Sequence, residues 1–64
     1  MQIVWVFILT LGIADETVID MEFEASNEAD CWNGRAAIME QVQAKGDDYR
    51  YWYITGCEPT SRDT

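Results

Sequence analysis

The two cysteines of the chain, Cys31 and Cys57, allow three kinds of thiol chemistry. They could form a structural disulfide, act as a redox couple, or supply two ligands of a metal site. Redox couples usually have the spacing Cys-x-x-Cys, and a zinc site would need two further ligands from a chain without histidine. A helix that turns back into a strand brings its own start beside that strand's end. We therefore favour a structural disulfide, with two buried, reduced thiols as the alternative.

A row of carboxylates is the second feature that could do chemistry. Asp20, Glu22 and Glu24, here called the acidic row, alternate with apolar residues, and Asp15 and Glu16 lead into them. On a strand, side chains two residues apart share a face and stand about 6.6–6.8 Å apart. Such a row could bind a basic protein surface, for example by imitating a nucleic acid backbone. Alternatively, the charges only protect an edge strand from pairing with other chains.

Composition narrows the classes of function. Among 64 residues there is no histidine, and twelve acidic against four basic residues give a net charge of −8. Ser-His and Cys-His catalysis are excluded, and no cofactor or metal motif is present, so we predict no enzyme, no cofactor and no metal site. The charge repels nucleic acid and anionic membrane surfaces, so neither is an expected partner. It attracts a basic protein.

The elements that position these groups are predicted in the order β-β-α-β. Residues 2–11 form a nearly continuous apolar run, which is typical of a strand covered on both faces or central in a small sheet. Residues 17–25 alternate between apolar and acidic side chains, which indicates a half-exposed edge strand. An aromatic third strand is predicted at residues 49–55, after a helix.

The helix is predicted from about residue 27 to about residue 45, with Ser26 or Asn27 as its N-cap and Gly46 as its C-terminal cap. At 100° per residue, one stripe of this helix faces the sheet. The predicted stripe contains Cys31, Trp32, Ile38, Met39 and Val42.

These elements fit an α+β fold. If strands two and three flank strand one, all neighbours are antiparallel and the crossover keeps its usual right hand. The prediction is a three-stranded antiparallel sheet of order 2-1-3 with one helix packed on one face. Residues 1–57 then form a single compact domain. Residues 58–64 are predicted to be a polar, frayed C-terminal tail because they lack an apolar anchor.

A single helix leaves one side of such a sheet uncovered, here called the open face. Val4, Val6 and Ile8 are predicted to line the open face beside the acidic row. An apolar stripe bordered by charge is typical of a protein-binding or dimer surface. We therefore predict that a protein partner binds there, with a homodimer or larger assembly through the same face as the alternative.

The apolar run at the N-terminus also resembles the hydrophobic region of a signal peptide, with residues 12–14 as a cleavage site. However, no Lys or Arg precedes the run, and its β-branched and aromatic residues suit a strand. The run of about 10 residues is also too short to span a bilayer as a helix, which takes about 20. A retained strand is the prediction, and a secreted disulfide domain is the alternative.

Several features occur together along most of the chain: an apolar strand from Ile3 to Leu11, Phe23 at the end of the second strand, Ser26 before the helix, and Cys31 and Cys57. In this pattern the chain resembles a group of short uncharacterised proteins from tailed-phage genomes. The resemblance implies a viral protein of the host cytoplasm. It further implies a host-takeover or anti-defence inhibitor, anti-CRISPR-like or a nucleic-acid mimic, that binds a host protein with a basic surface.

Overall fold

The structure, a computed structural model, describes residues 2–62 and contains four strands and one long helix. The elements are β1 (Gln2–Gly12), β2 (Val18–Ala25), α1 (Glu28–Ala44), a short 3-10 helix (Gly46–Asp48), β3 (Tyr51–Ile54) and β4 (Glu58–Arg62). The predicted α+β class and β-β-α-β layout are confirmed, and one further strand, β4, is added.

The apolar strand β1 lies at the centre of an antiparallel sheet. It pairs with β2 from Trp5 to Gly12, with β3 from Leu9 to Gly12, and with β4 from Gln2 to Val6. Because Trp5 and Val6 pair with both β2 and β4, these two strands lie on opposite sides of β1. The predicted order 2-1-3 is confirmed. A strand enclosed by neighbours on both sides accounts for the continuous apolar run.

The segment predicted to be a frayed tail is instead the strand β4. Its residues pair with β1 from Glu58 opposite Val6 to Arg62 opposite Gln2. The prediction was wrong because it considered only whether these residues have apolar side chains to bury, and not whether their backbone could pair with β1. β3 is short, so on that side the first half of β1 has no strand beside it and its backbone N–H and C=O groups lack partners. The backbone of β4 supplies the missing hydrogen bonds. Residues 63 and 64, the rest of the predicted tail, lie outside the described residues.

A β-bulge separates β3 from β4. Ile54 lies opposite Leu9 and Glu58 lies opposite Val6, so the three residues 55–57 face only two residues of β1. Thr55 closes the gap, since its N–H donates to the Ile8 carbonyl at 2.9 Å and its Oγ1 accepts from the Ile8 N–H at 2.8 Å. The extra residue reverses the alternation of faces, so that Cys57 points toward the helix and Glu58 away from it.

The helix starts as predicted and ends differently. Asn27 is the N-cap, and its side-chain oxygen accepts a hydrogen bond from the Asp30 N–H at 2.8 Å. At the other end Lys45 is the C-cap, and Gly46 opens the 3-10 helix. The prediction of Gly46 as a C-terminal cap was wrong, because none of the described glycines has a positive φ and the chain tightens into a 3-10 turn.

The core between helix and sheet has two parts. Phe7, Cys31 and Cys57 form one buried cluster, and Leu9, Leu11 and Val42 form the other. The odd-numbered core residues of β1 therefore face the helix, as predicted. Phe7 also stacks on Phe23 of β2, with ring centroids 4.9 Å apart. These contacts fix which side of the sheet is covered.

Trp32 is the exception in the predicted sheet-facing stripe, since it is 42% exposed. Cys31, which is 1% exposed, points directly at the sheet, and the next helical residue is rotated by about 100° from it. Trp32 therefore lies at the side of the helix, close to Gly56 in the bulge. The Arg35 guanidinium lies over its ring at 5.3 Å from the centroid. Including Trp32 in the sheet-facing stripe was wrong for this reason.

The turn between β1 and β2 contains two residues in the left-handed region, Asp15 and Glu16, each with φ of 66°. Consecutive positive φ values are typical of a type I′ hairpin turn, which prefers Asn-Gly. We expect Asp15→Asn/Glu16→Gly to raise the free energy of unfolding by about 1 kcal/mol, because left-handed backbone is costly for most L-residues. Urea denaturation measures the change. The charge-matched variant Asp47→Asn/Asp48→Gly should bring no gain, and equal gains would contradict the strain argument.

Candidate interaction surface

The predicted disulfide between Cys31 and Cys57 is present, with the two Cα atoms 6.2 Å apart. It joins the first turn of α1 to the bulge. A second link lies nearby, because Arg35 Nε donates to the Thr55 carbonyl oxygen at 2.7 Å. Both cysteines are buried in the core. The pair therefore holds the helix onto the β3–β4 side of the sheet, which is a structural role.

The acidic row lies on the open face, along the outer strand β2. Asp20, Glu22 and Glu24 stand opposite Thr10, Ile8 and Val6 of β1, and all three carboxylates are exposed. Asp20 Oδ1 also accepts a hydrogen bond from Thr10 Oγ1 at 2.8 Å. The other two acidic candidates, Asp15 and Glu16, are exposed in the β1–β2 turn, at the end of the same hairpin. The fold thus gathers five carboxylates along one hairpin.

The three apolar candidates differ widely in exposure. Val4 is 8% exposed, Val6 is half-buried and Ile8 is 37% exposed. Their registers with β2 and β4 place all three on the open face, as predicted. Only Ile8 offers substantial apolar surface to a partner. The predicted apolar stripe on this face is therefore narrower than the sequence pattern suggests.

Arg62 of β4 binds two residues of the acidic row. Its Nη2 lies 2.6 Å from Glu22 Oε1 and its Nε lies 2.8 Å from Glu24 Oε1. The hydrogen bond to Glu24 and then the charge of Glu22 raise the pKa of Arg62. Because β4 and β2 lie on opposite sides of β1, the Arg62 side chain crosses the open face.

Four residues that contribute charge or aromatic surface to the open face were not predicted as site residues. Glu58 stands opposite Val6, and Tyr51 and Tyr53 stand opposite Gly12 and Thr10. The two tyrosine rings stack with centroids 6.1 Å apart and are 45% and 59% exposed. The alternation within β3 could have placed the tyrosines on this side. The positions of Glu58 and of the fourth residue, Arg62, could not be predicted, because the sequence of residues 58–62 shows no pattern typical of a strand.

A cavity of about 460 Å³ lies on the opposite side of the sheet, between it and the second half of the helix. Its walls are mostly apolar. They are formed by Leu9, Leu11, Met21, Phe23, Ile38, Gln41, Val42, Ala44, Lys45 and Tyr49. The disulfide lies at the other end of the helix, in its first turn. The cavity borders the side of β2 that faces the helix, and no pattern in the sequence predicted it.

Neither a metal centre nor a membrane span is found in the part of the chain that the structure describes. Residues 2–62 hold no group of three or more Cys, Asp or Glu side chains arranged to bind a metal ion. No helix among them is long and apolar enough to cross a membrane. Comparison of the chain with protein-family models, curated proteins and solved structures finds no match.

Proposed function

We propose that this protein is a small interaction module that binds a protein partner with a basic surface through the acidic row. The supporting observation is the way Glu22 and Glu24 bind the Arg62 guanidinium. Carboxylates spaced along a rigid strand can each accept a charge-assisted hydrogen bond from arginine. The same geometry suits the arginine and lysine side chains of another protein.

The charges that surround the acidic row also favour a basic protein as the partner. Arg62 cancels one of the three negative charges of the acidic row, while Glu58, Asp15 and Glu16 add others on the same face and at its end. With a net charge of −8, the whole protein attracts a basic partner and accelerates its approach. Because exposed charges are screened by salt, binding should weaken as ionic strength rises.

The resemblance to tailed-phage proteins supports an inhibitory form of this activity. In that form the module occupies a basic host surface that would otherwise bind nucleic acid, as a host-takeover or anti-defence factor does. The viral origin, the inhibition and the location in host cytoplasm rest on the resemblance alone. Binding to a basic surface rests on the acidic row.

The decisive variant is Asp20→Lys/Glu22→Lys/Glu24→Lys. We expect it to lower affinity for basic proteins at least tenfold, because it replaces attraction by repulsion along one face. The test compares host-lysate proteins retained by the immobilised variants, together with the affinity for a labelled octa-arginine peptide, at low and high salt. Wild-type binding should decrease with salt.

A charge-matched control separates the site from the overall charge. Glu40→Lys/Asp47→Lys/Asp48→Lys makes the same change in net charge on the helix and the following turn, and it should retain the partners. If the lysine variant fails to fold, the neutral variant Asp20→Asn/Glu22→Gln/Glu24→Gln replaces it in the test. Circular dichroism checks that each variant is folded. If the folded row variants bind like wild type, the acidic row is only edge protection.

Arg62 should compete with a basic partner. We expect Arg62→Met to raise the affinity for octa-arginine about two- to fivefold, because it frees Glu22 and Glu24 from an exposed and therefore weak pair of ion pairs. Isothermal titration calorimetry measures the change. Arg50→Met removes the same charge from an exposed position outside the acidic row and should have a smaller effect. Equal effects of the two variants would show that Arg62 does not compete at the site.

Exposed apolar residues on the open face favour a second candidate function, assembly through that face. Ile8, Val18, Tyr51 and Tyr53 are between 37% and 59% exposed there. A homodimer or larger ring held by these residues would be insensitive to salt, unlike the binding of a basic partner. Light scattering at micromolar concentration distinguishes the two, and Ile8→Asp should dissociate such an oligomer. A monomer contradicts assembly.

The disulfide favours a different location. Disulfides persist mainly in oxidising compartments and are rare in the cytosol. The Cys31–Cys57 disulfide therefore supports the alternative of a secreted domain. Alkylation of the protein in its native source, without reductant, separates the two locations. Labelled thiols favour the cytoplasm, and unlabelled cysteines favour a secreted protein.

A further inference from the structure

The outer edge of β2 is the longest uninterrupted strand edge of the sheet. Among residues 2–62, β2 pairs only with β1, along all eight of its residues. The opposite edge is divided into β3 and β4 by the bulge, and β4 contains Pro59, which cannot donate a backbone hydrogen bond. Bulges, short strands and proline protect a sheet edge from strand addition. The β2 edge has none of these, and its outward N–H and C=O groups are free to pair.

The two sides of β2 differ sharply in chemistry. On the open face it presents the acidic row. On the helix side it presents Ile19, which is 39% exposed, and the half-buried Met21 and Phe23, which line the cavity. A strand placed beside β2 would have its own side chains about 4.5–5.5 Å from these residues, measured between Cβ atoms. It would therefore meet negative charge on one side and apolar surface on the other.

We propose that the partner adds an extended segment as a strand along the β2 edge, and that alternate side chains of this segment are basic and apolar. The basic side chains lie beside the acidic row, so this half of the inference rests on the proposed function. The apolar side chains lie beside Ile19, Met21 and Phe23 and extend the cavity wall. Main-chain hydrogen bonds supply affinity, and the alternating side chains supply specificity, as in other strand additions.

Charge excludes a second copy of this chain as the occupant. Two β2 strands paired antiparallel would bring two acidic rows side by side on the same face. Like charges on directly opposed residues destabilise strand pairing. The acidic row thus prevents self-pairing at this edge, whereas a basic strand would be attracted to it.

Synthetic peptides test the inference without altering the protein. The probe is a capped peptide of alternating lysine and valine. The first control has the same composition with lysines and valines in separate blocks, and the second is the alternating peptide N-methylated at every second residue to block pairing. We expect the alternating peptide to bind at least tenfold more tightly than either control in fluorescence anisotropy. Hydrogen exchange of alternate amides in β2, but not in β3, should slow on binding.

The outcomes separate this inference from the proposed function. Equal binding of the three peptides, lost in Asp20→Lys/Glu22→Lys/Glu24→Lys, would overturn strand addition and leave the proposed function standing. Binding of the alternating peptide that is unchanged in that variant would overturn the role of the acidic row, and with it the basic half of the inference. No binding by any peptide, or protection confined to β3 and β4, would overturn strand addition.

Discussion

Removal of the disulfide, by Cys31→Ala/Cys57→Ala or by reduction, should cost about 3.5 kcal/mol of unfolding free energy. The value follows from the entropy of closing a loop across a separation of 26 residues. A domain of this size is stabilised by only about 3–10 kcal/mol in total. The double variant should therefore be largely or completely unfolded under conditions in which the wild type is folded. Urea denaturation followed by circular dichroism measures the difference.

Reductant provides the matched control for this experiment. Wild type in the presence of a phosphine reductant should unfold at nearly the urea concentration of the double variant, and the variant itself should be insensitive to reductant. The helix depends on this link because the disulfide and the Arg35–Thr55 hydrogen bond join it to the bulge. A free energy within about 1 kcal/mol of wild type would show that core packing alone holds the helix.

Leu9→Ala should lower the free energy of unfolding by about 2–4 kcal/mol. Leu9 is 2% exposed and packs in the cluster with Leu11 and Val42. Truncation of a buried leucine removes apolar contacts and leaves a void that the surroundings fill only in part. The adjoining cavity would grow as a result. Thermal and urea denaturation measure the loss.

The neighbouring residue is the control for Leu9. Ile8 lies on the opposite side of the same strand and is 37% exposed, so Ile8→Ala should cost less than about 1 kcal/mol. A larger loss of unfolding free energy for Leu9→Ala than for Ile8→Ala supports the assignment of the covered and open faces. The location of the acidic row on the open face depends on this assignment. If Ile8→Ala were the more damaging change, the faces would be reversed and the acidic row would face the helix.

Under the proposed function, the acidic row both protects a strand edge and recognises the partner. Its charges oppose pairing of β2 with another copy, which explains why a long edge strand can remain uncovered. The same charges bind Arg62 within the chain. A surface that repels its own copy and binds guanidinium would discriminate between partners by charge, as the proposed function requires. Specific interfaces commonly combine repulsion of wrong partners with attraction of the right one.

Local patterns in the sequence determined much of the fold. The apolar run of residues 2–11 predicts β1, and the alternation of residues 17–25 predicts β2 with its acidic face. Ser26 or Asn27 as the N-cap, followed by acidic residues, predicts the start of the helix. These features were predictable because the period of a strand or helix and the hydrogen bonds of a cap involve residues close in sequence. The order of the strands then brings Cys31 and Cys57 together.

The tertiary structure alone decided the remaining features. β4 forms because β1 offers unpaired backbone groups, and the Arg62 contacts with Glu22 and Glu24 exist only once β4 is in place. One extra residue in the bulge decides that Cys57 faces the helix. The cavity depends on how closely the helix approaches β2. None of these could be predicted from local pattern, because each depends on partners distant in sequence and on a register that a single residue reverses.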